Sequence, residues 1–171
     1  MSEYPEHPVG GFPVPPRTIT DGQDRTIRLR KLTDHEALVS MYLQFDPADK
    51  AQGIPPSTES AIREWLAGIT ADDAVNVVAR AEDRTVGHAV LVGENEPELA
   101  IFVLQAYQGA GVGTELLRTT LGEAAATGID RVWLTVERWN HAAIALYTKL
   151  GFEQIESPQF DIEMRIRLET N

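Results

Sequence analysis

The segment Gln108-Gly-Ala-Gly-Val-Gly-Thr114 sets three glycines, Gly109, Gly111 and Gly113, between an apolar strand-like run and the amphipathic stretch that follows. Glycines at a strand-to-helix turn leave backbone N–H groups unobstructed at the positive end of the helix dipole, where they can cradle an anionic phosphate. A side chain there would block close approach of the phosphate oxygens or forbid a positive φ. The same pattern also describes a plain turn with a flexible helix start. Two familiar phosphate loops do not fit. A P-loop needs lysine and then serine or threonine after its last glycine, and here Gly113 is followed by Thr114 and Glu115. The dinucleotide fingerprint spaces its glycines GxGxxG, whereas here they fall as GxGxG and follow a meander instead of opening a βαβ unit.

A second group lies downstream, in Val132-Trp-Leu-Thr-Val-Glu-Arg-Trp-Asn140-His-Ala-Ala-Ile-Ala-Leu-Tyr147-Thr-Lys-Leu-Gly151-Phe152. On one helix Asn140 and Tyr147 share a face about two turns apart, roughly 10 Å along the axis.

The elements that must hold these groups are legible from periodicity. Residues 1–24 carry Pro5, Pro8, Pro13, Pro15, Pro16 and the Gly10-Gly11 pair with no apolar period, which predicts a flexible leader ahead of one domain at 25–171. Alternation over 26–32 predicts a strand, with Ile27 and Leu29 on one face and Arg28 and Arg30 on the other. Thr33 with Glu36 reads as a capping box opening a helix through Leu38, Met41, Tyr42 and Phe45, and Ser57 or Thr58 opens a second through Ile62, Trp65 and Leu66. Three strands at 74–80, 85–92 and 98–103, joined by short turns, form an antiparallel meander. A helix from 111 to about 126, a strand at 131–136, a helix at 140–150 and strands at 152–156 and 160–168 follow. Meander then crossover helix implies a mixed sheet.

Bulk properties narrow the class. The chain has 171 residues, 43% of them hydrophobic, enough for one domain with a core. It has no cysteine, which excludes disulfide scaffolds, zinc–cysteine sites and cysteine nucleophiles. With 26 Asp and Glu against 15 Lys and Arg the net charge is −11, so nucleic acid is not an expected partner. No run approaches the roughly 20 apolar residues of a membrane helix, and the first residues do not read as a signal peptide, so neither a membrane partner nor export is expected and the setting is read as cytoplasmic.

Gln108, Gly111 and Gly113 after a strand, followed by Asn140, Ala143, Leu146, Tyr147, Gly151 and Phe152 in their spacing, resemble the two hallmark motifs of the GNAT superfamily of acyl-CoA-dependent N-acyltransferases. The resemblance covers residues 26–168. It implies an α/β fold, a mixed twisted sheet of about seven strands flanked by about four helices. It implies transfer of an acetyl group from acetyl-CoA to a primary amine, on a small molecule or a protein, by direct attack in a ternary complex and with no metal. The alternative class is a non-catalytic acyl-CoA-binding sensor.

Residue by residue, the resemblance implies that backbone groups of Ile101, Phe102 and Val103 pair with the pantetheine arm. The loop from Gln108 through Gly109, Ala110, Gly111, Val112 and Gly113 to Thr114 receives the pyrophosphate on its amides, and Asn140 hydrogen-bonds the pantetheine. Tyr147 points its hydroxyl at the thioester sulfur as general acid. Glu98 is the first candidate for the base, because some family members use a glutamate on this strand. Thr135 stands where family members that acetylate protein N-termini carry a catalytic glutamate; Glu137 is a further candidate, and His88 and His141 could take a proton but read first as structural or surface groups. Many relatives have Arg and Lys where this chain has Gln108 and Ala110, so backbone amides carry the phosphate, with Arg118 compensating. The loop at 45–56, with Asp46 and Asp49, and Trp139 are candidates for holding the acceptor. A homodimer in which the last strands, residues 160–168, exchange or pair across a two-fold axis completes the expectations.

Overall fold

Apolar residues repeating every second position build one sheet, and those repeating every third or fourth build the helices that cover it. The computed structural model describes residues 4–46, 55–71, 74–156 and 160–170. Along the chain these form β1 (Arg17–Thr20), β2 (Thr26–Lys31), α1 (His35–Tyr42), α2 (Glu59–Ile69), β3 (Val75–Ala81), β4 (Arg84–Val92), β5 (Glu98–Val103), α3 (Val112–Ala126), β6 (Arg131–Val136), α4 (His141–Leu150), β7 (Glu153–Ile155) and β8 (Ile162–Arg167). A single sheet results, with strand order β1-β2-β3-β4-β5-β6-β8-β7. Every neighbouring pair is antiparallel except β5 and β6, which are parallel and joined through α3.

In β2 the inner residues Ile27 and Leu29 are fully buried and Arg28 and Arg30 face out. In β3 and β4 the alternation disappears, because nearly every residue is buried. Helix α3 packs on one face of these strands while α1 and α2 cover the other, so both faces of the central strands are apolar. Helix α1 starts one residue later than its capping box predicts: Asp34 is the N-cap and accepts from Ala37 N at 2.9 Å, a role that its charge beside the helix N-terminus favours. Thr58 caps α2, accepting from Ala61 N at 3.3 Å.

The sheet has eight strands where seven were expected, and the extra one corrects the reading of the leader. Arg17–Thr20 pairs antiparallel with β2. Further back, Val9 makes a parallel bridge to Leu168 through Val9 N to Arg167 O at 2.8 Å and Glu169 N to Val9 O at 2.9 Å. Between these two anchors the chain crosses α3, where the Pro13 carbonyl lies against Gly122. The described part of the leader is therefore a strap that runs from β8, over α3, to the far edge of the sheet. Its prolines lack an N–H to satisfy, which suits a segment that crosses a helix without a ladder partner.

Gly122 exists for this crossing, since a Cβ there would collide with the Pro13 backbone. A helical Gly→Ala change normally stabilises by about 1 kcal/mol. For Gly122→Ala we expect the opposite sign, a loss of about 1–3 kcal/mol from overpacking, together with faster proteolysis within residues 4–20. Denaturant midpoints and timed proteolysis measure both; a more stable variant with an equally protected strap would disprove the contact.

Pairing of two copies through the final strand meets an obstacle. One edge of β8 is taken by β6 along its length and the other by β7 and, beyond it, by Val9, so β8 offers no open edge for a second chain. Among the described residues no helix is long and apolar enough to cross a membrane, and no group of His, Asp and Glu could hold a metal ion.

Candidate active site

The parallel pair at the middle of the sheet is barely a pair. Strands β5 and β6 share one registered position, Glu98 with Trp133, sealed by Trp133 N to Pro97 O at 3.2 Å. Beyond it they separate, leaving a gap in the centre of the sheet. Which groups of β5 face that gap follows from its other ladder. Leu104 N donates to Val86 O at 2.9 Å, and in an antiparallel ladder hydrogen-bonded positions alternate, so Phe102 and Ala100 turn their backbone toward β4. Ile101 and Val103 therefore turn theirs toward the gap. The expectation that Ile101, Phe102 and Val103 all pair with an extended ligand is corrected at Phe102, whose backbone belongs to β4. The Phe102 ring joins Tyr42, Phe45 and Trp65 instead, with centroids 5.5, 6.4 and 5.6 Å away, in an aromatic wall on the α1–α2 side.

At the far end of β5 a short 3-10 turn, Gln105–Tyr107, leads into the glycines. Gln108 Nε2 donates to Val103 O at 3.0 Å, so its side chain fastens the turn to the end of the strand. Gly109 has φ +72° and Gly111 φ +89°, and a Cβ at either position would project into open space. Ala110 between them is buried. Gly113 is different: its φ is ordinary, and a Cβ would only touch Val103 Cγ2 at 3.9 Å.

Helices α1, α2 and α4 each begin under a capping side chain, Asp34, Thr58 and Asn140. Helix α3 begins at Gly111 with no side-chain cap. The N–H groups of Val112, Gly113 and Thr114 thus stand at the positive end of a 15-residue helix with no intrahelical acceptor. Arg118, expected to add positive charge nearby, shares the Glu115 carboxylate with Arg17 of β1, at 3.2 and 3.0 Å. Two cations and one anion leave that helix face with one excess positive charge.

Asn140 Oδ1 accepts from Ala143 N at 3.2 Å as the cap of α4, which leaves its amide NH2 as the group free to meet a ligand. Tyr147, two turns into α4, packs its ring against Phe152 at 5.8 Å, and its hydroxyl makes no hydrogen bond among the described residues. Burial pushes the phenol pKa up from 10, so it stays protonated at neutral pH. Glu98 sits at the closed end of the gap, half-buried. Burial, and then the charge of Glu163 on β8, push its carboxyl up from the ordinary carboxylate range, which makes it a stronger base.

The other base candidates separate clearly. Thr135 is exposed on β6, Glu137 is half-buried just past its end, and His141 is exposed at the start of α4. His88 takes the structural one of its two readings: it is 0% exposed. Tyr42 Oη donates to its Nδ1 at 2.6 Å, and its Nε2 donates to Asn76 Oδ1 at 2.7 Å, since Asn76 Nδ2 donates to Ile69 O. Both ring nitrogens are engaged by neutral groups, so His88 braces the core beneath the aromatic wall and takes no proton from an amine.

That arrangement carries a pH signature. Burial pushes the His88 imidazole down to about 3 from the ordinary 6.5. The unfolded chain binds the extra proton below pH 6.5, so the stability present above 6.5 falls as pH drops toward 3. We expect urea midpoints to decline between pH 6.5 and 5, at up to about 1.4 kcal/mol per pH unit, a slope that the raised carboxyl of Glu98 opposes. His88→Gln should flatten the slope; an equally steep variant would count against the assignment.

Of the acceptor candidates, Asp46 is exposed at the end of the segment after α1, and Asp49 lies outside the described residues. Trp139 is 70% exposed in the turn between β6 and α4. Beside it Arg138 Nε donates to the carbonyl of Phe160, itself 88% exposed. A groove of about 870 Å3 lined by Lys31, Asn76, Glu123 and Ile129 is a separate feature beside the C-terminal end of α3, away from the glycine turn. Sequence reasoning missed Tyr42 and Trp65 as parts of the wall. Periodicity placed both on buried helix faces but gave no sign that they meet Phe102.

The comparisons with known proteins agree with this fold. The model of the acetyltransferase (GNAT) family matches residues 36–152, from within α1 to the second residue after α4. An uncharacterised N-acetyltransferase of Mycobacterium bovis is 36% identical over 80 residues, 45% of this chain and 51% of that one. The [ribosomal protein bS18]-alanine N-acetyltransferase of Salmonella typhimurium is 34% identical over 82 residues, 47% and 55% of the two chains. The chain thus spans about half the length of these relatives. Among solved structures, the GNAT domain of S. lividans PAT superposes with a TM-score of 0.75 at 22% identity over 90% of this chain and 97% of that one, a likeness of fold. The family match encloses the parted strands, the glycine turn, Asn140 and Tyr147, and the chain belongs to the acetyltransferase (GNAT) family.

Proposed function

We propose that this protein is an N-acetyltransferase that moves an acetyl group from acetyl-CoA to a primary amine by direct attack. The observation that carries the reading is the gap between β5 and β6, which opens from a single rung and leads to the uncapped start of α3. Unpaired backbone in mid-sheet is a place for an extended, amide-bearing ligand to add as a strand. Ile101 and Val103 offer such groups, Val103 through its N–H because Gln108 holds its carbonyl. From Glu98 to Val103 the gap runs about 17 Å, at 3.4 Å per residue. At its open end the amides of residues 109–114 fit a pyrophosphate: they are unobstructed, aimed by positive φ, and backed by a helix dipole.

The chemistry assigned to the side chains balances. A neutral amine attacks the thioester carbonyl, the C–N bond forms and the C–S bond breaks. The proton lost by the amine goes to Glu98, directly or through water, and the departing thiolate takes the Tyr147 proton. Thr135 offers no carboxylate at the exposed position on β6, so the raised basicity of Glu98 matters here.

The acceptor is an amine presented from the side of the aromatic wall. The Salmonella relative is named for a ribosomal protein alanine; for this chain both small-molecule and protein amines belong in the test. Edge-to-edge pairing of two copies would use the outer edge of β1 or β7, because β8 is enclosed, whereas exchange of the last strands would put the second copy's strand in the place of β8. The deciding experiment follows free-thiol release from acetyl-CoA over a panel of amines. Turnover on at least one amine is the expected result; tight CoA binding without turnover on any would overturn the enzyme reading in favour of a sensor.

A further inference from the structure

We infer that the turn at residues 21–25, between β1 and β2, sets the conformation of the glycine turn, with Arg25 as a positioning residue for CoA binding; this rests on the reading of residues 109–114 as the pyrophosphate site. The glycine turn cannot hold its own shape. Gly109 and Gly111, both at positive φ, flank Ala110, and such glycines have the widest backbone freedom of any residue. Rigidity has to come from outside.

The turn at 21–25 is well built to supply it. The Asp21 carboxylate, whose side chain is 0% exposed, accepts from Gln23 N, Arg25 N and Arg25 Nε at 2.9, 2.9 and 2.8 Å. Asp21 N also donates to Arg25 O at 2.9 Å, which closes the turn on itself. From this rigid body three contacts reach the glycine segment. Gly22 N donates to Ala110 O at 2.8 Å, between the two positive-φ glycines. Arg25 Nη1 donates to Ala106 O at 3.0 Å, and its guanidinium lies over the Tyr107 ring, 3.9 Å from the centroid. The segment is gripped both before Gln108 and after Gly109.

Geometry, not charge, is what Arg25 contributes, because Asp21 neutralises it at 2.8 Å. A planar fork that bonds a carboxylate and a carbonyl while stacking on a ring is a task lysine cannot reproduce. Calorimetric titration with CoA, on wild type, Arg25→Ala and Arg25→Lys, tests the inference. We expect affinity to fall about tenfold in both variants, the cost of one charge-assisted hydrogen bond and a stacking contact. The ratio to wild type should stay constant between low and high salt. The KM for acetyl-CoA should rise with kcat at saturation kept, and amide exchange at residues 109–113 should quicken in the absence of CoA.

Affinity within twofold of wild type in Arg25→Ala overturns the inference, as does full rescue by Arg25→Lys. A ratio that shrinks as salt rises overturns it too, since that marks a direct phosphate contact. Should the alanine variant fail to fold by circular dichroism, the lysine variant carries the test. Absence of CoA binding by the wild type overturns the site reading itself, which separates the two failures.

Discussion

Gly111→Val is expected to reduce CoA affinity by a hundredfold or more, the largest binding effect of any single change in the glycine turn. Two costs act together. At φ +89° a β-branched residue is strained by about 1–3 kcal/mol, and its Cβ and methyls would occupy the open space in front of the α3 amides. Strain weakens the free protein as well as the complex, whereas occlusion weakens only the complex. Gly113→Ala separates them. Gly113 has ordinary φ and room for a Cβ against Val103, so in the free protein alanine should be neutral or stabilising by up to about 1 kcal/mol. Loss of CoA affinity in a variant of undiminished thermal midpoint then reports the ligand alone. Calorimetry on both variants decides; near-wild-type binding by Gly111→Val would remove the pyrophosphate from this turn.

Tyr147→Phe is expected to lower kcat about a hundredfold while leaving the KM for acetyl-CoA nearly unchanged. The substitution deletes only the hydroxyl, and the ring contact with Phe152 survives, so folding is a minor concern. General acids contribute about 10²- to 10⁴-fold, and the low end applies here for a reason of driving force. A thiolate whose acid has a pKa near 8.5 is a weaker base than the phenolate of a tyrosine above 10, so the gain lies in hydrogen bonding to the leaving sulfur as charge develops. The raised phenol pKa also predicts that kcat shows no descending limb from this acid below pH 10. A fall of less than threefold in kcat would take Tyr147 out of the reaction.

Much of this architecture was legible without coordinates. The meander, the crossover helix and the glycine turn each leave a local trace, because period 2, period 3.6 and closely spaced glycines are properties of neighbouring residues. What escaped detection depends on residues far apart in sequence. His88 reads from its strand as structural or as a proton acceptor; only Tyr42 and Asn76, from other elements, show it to be a neutral brace. Glu98 owes part of its shift to Glu163, three strands later in the chain order. Gln108 reads as part of a ligand motif, yet its amide serves the carbonyl of Val103. The four residues of β1 alternate in burial, but with Ile19 as their one apolar side chain, just after Pro15 and Pro16, they are too few to show a period in the sequence.

The strap also shapes how the chain reaches this fold. Glu6 and Arg167 meet across 161 residues, and Arg17 and Glu115 across 98. Closing loops of that length is entropically costly and slows folding, because the separation must be bridged before any contact rewards it. The Val9 bridge and the Pro13 crossing need β8 and α3 in place to receive them, whereas β1 pairs with β2 through a local turn. A chain stalled short of its final strand would keep the β1–β2 hairpin and its hold on the glycine turn, but the residues before Pro13 would have no anchor on β8.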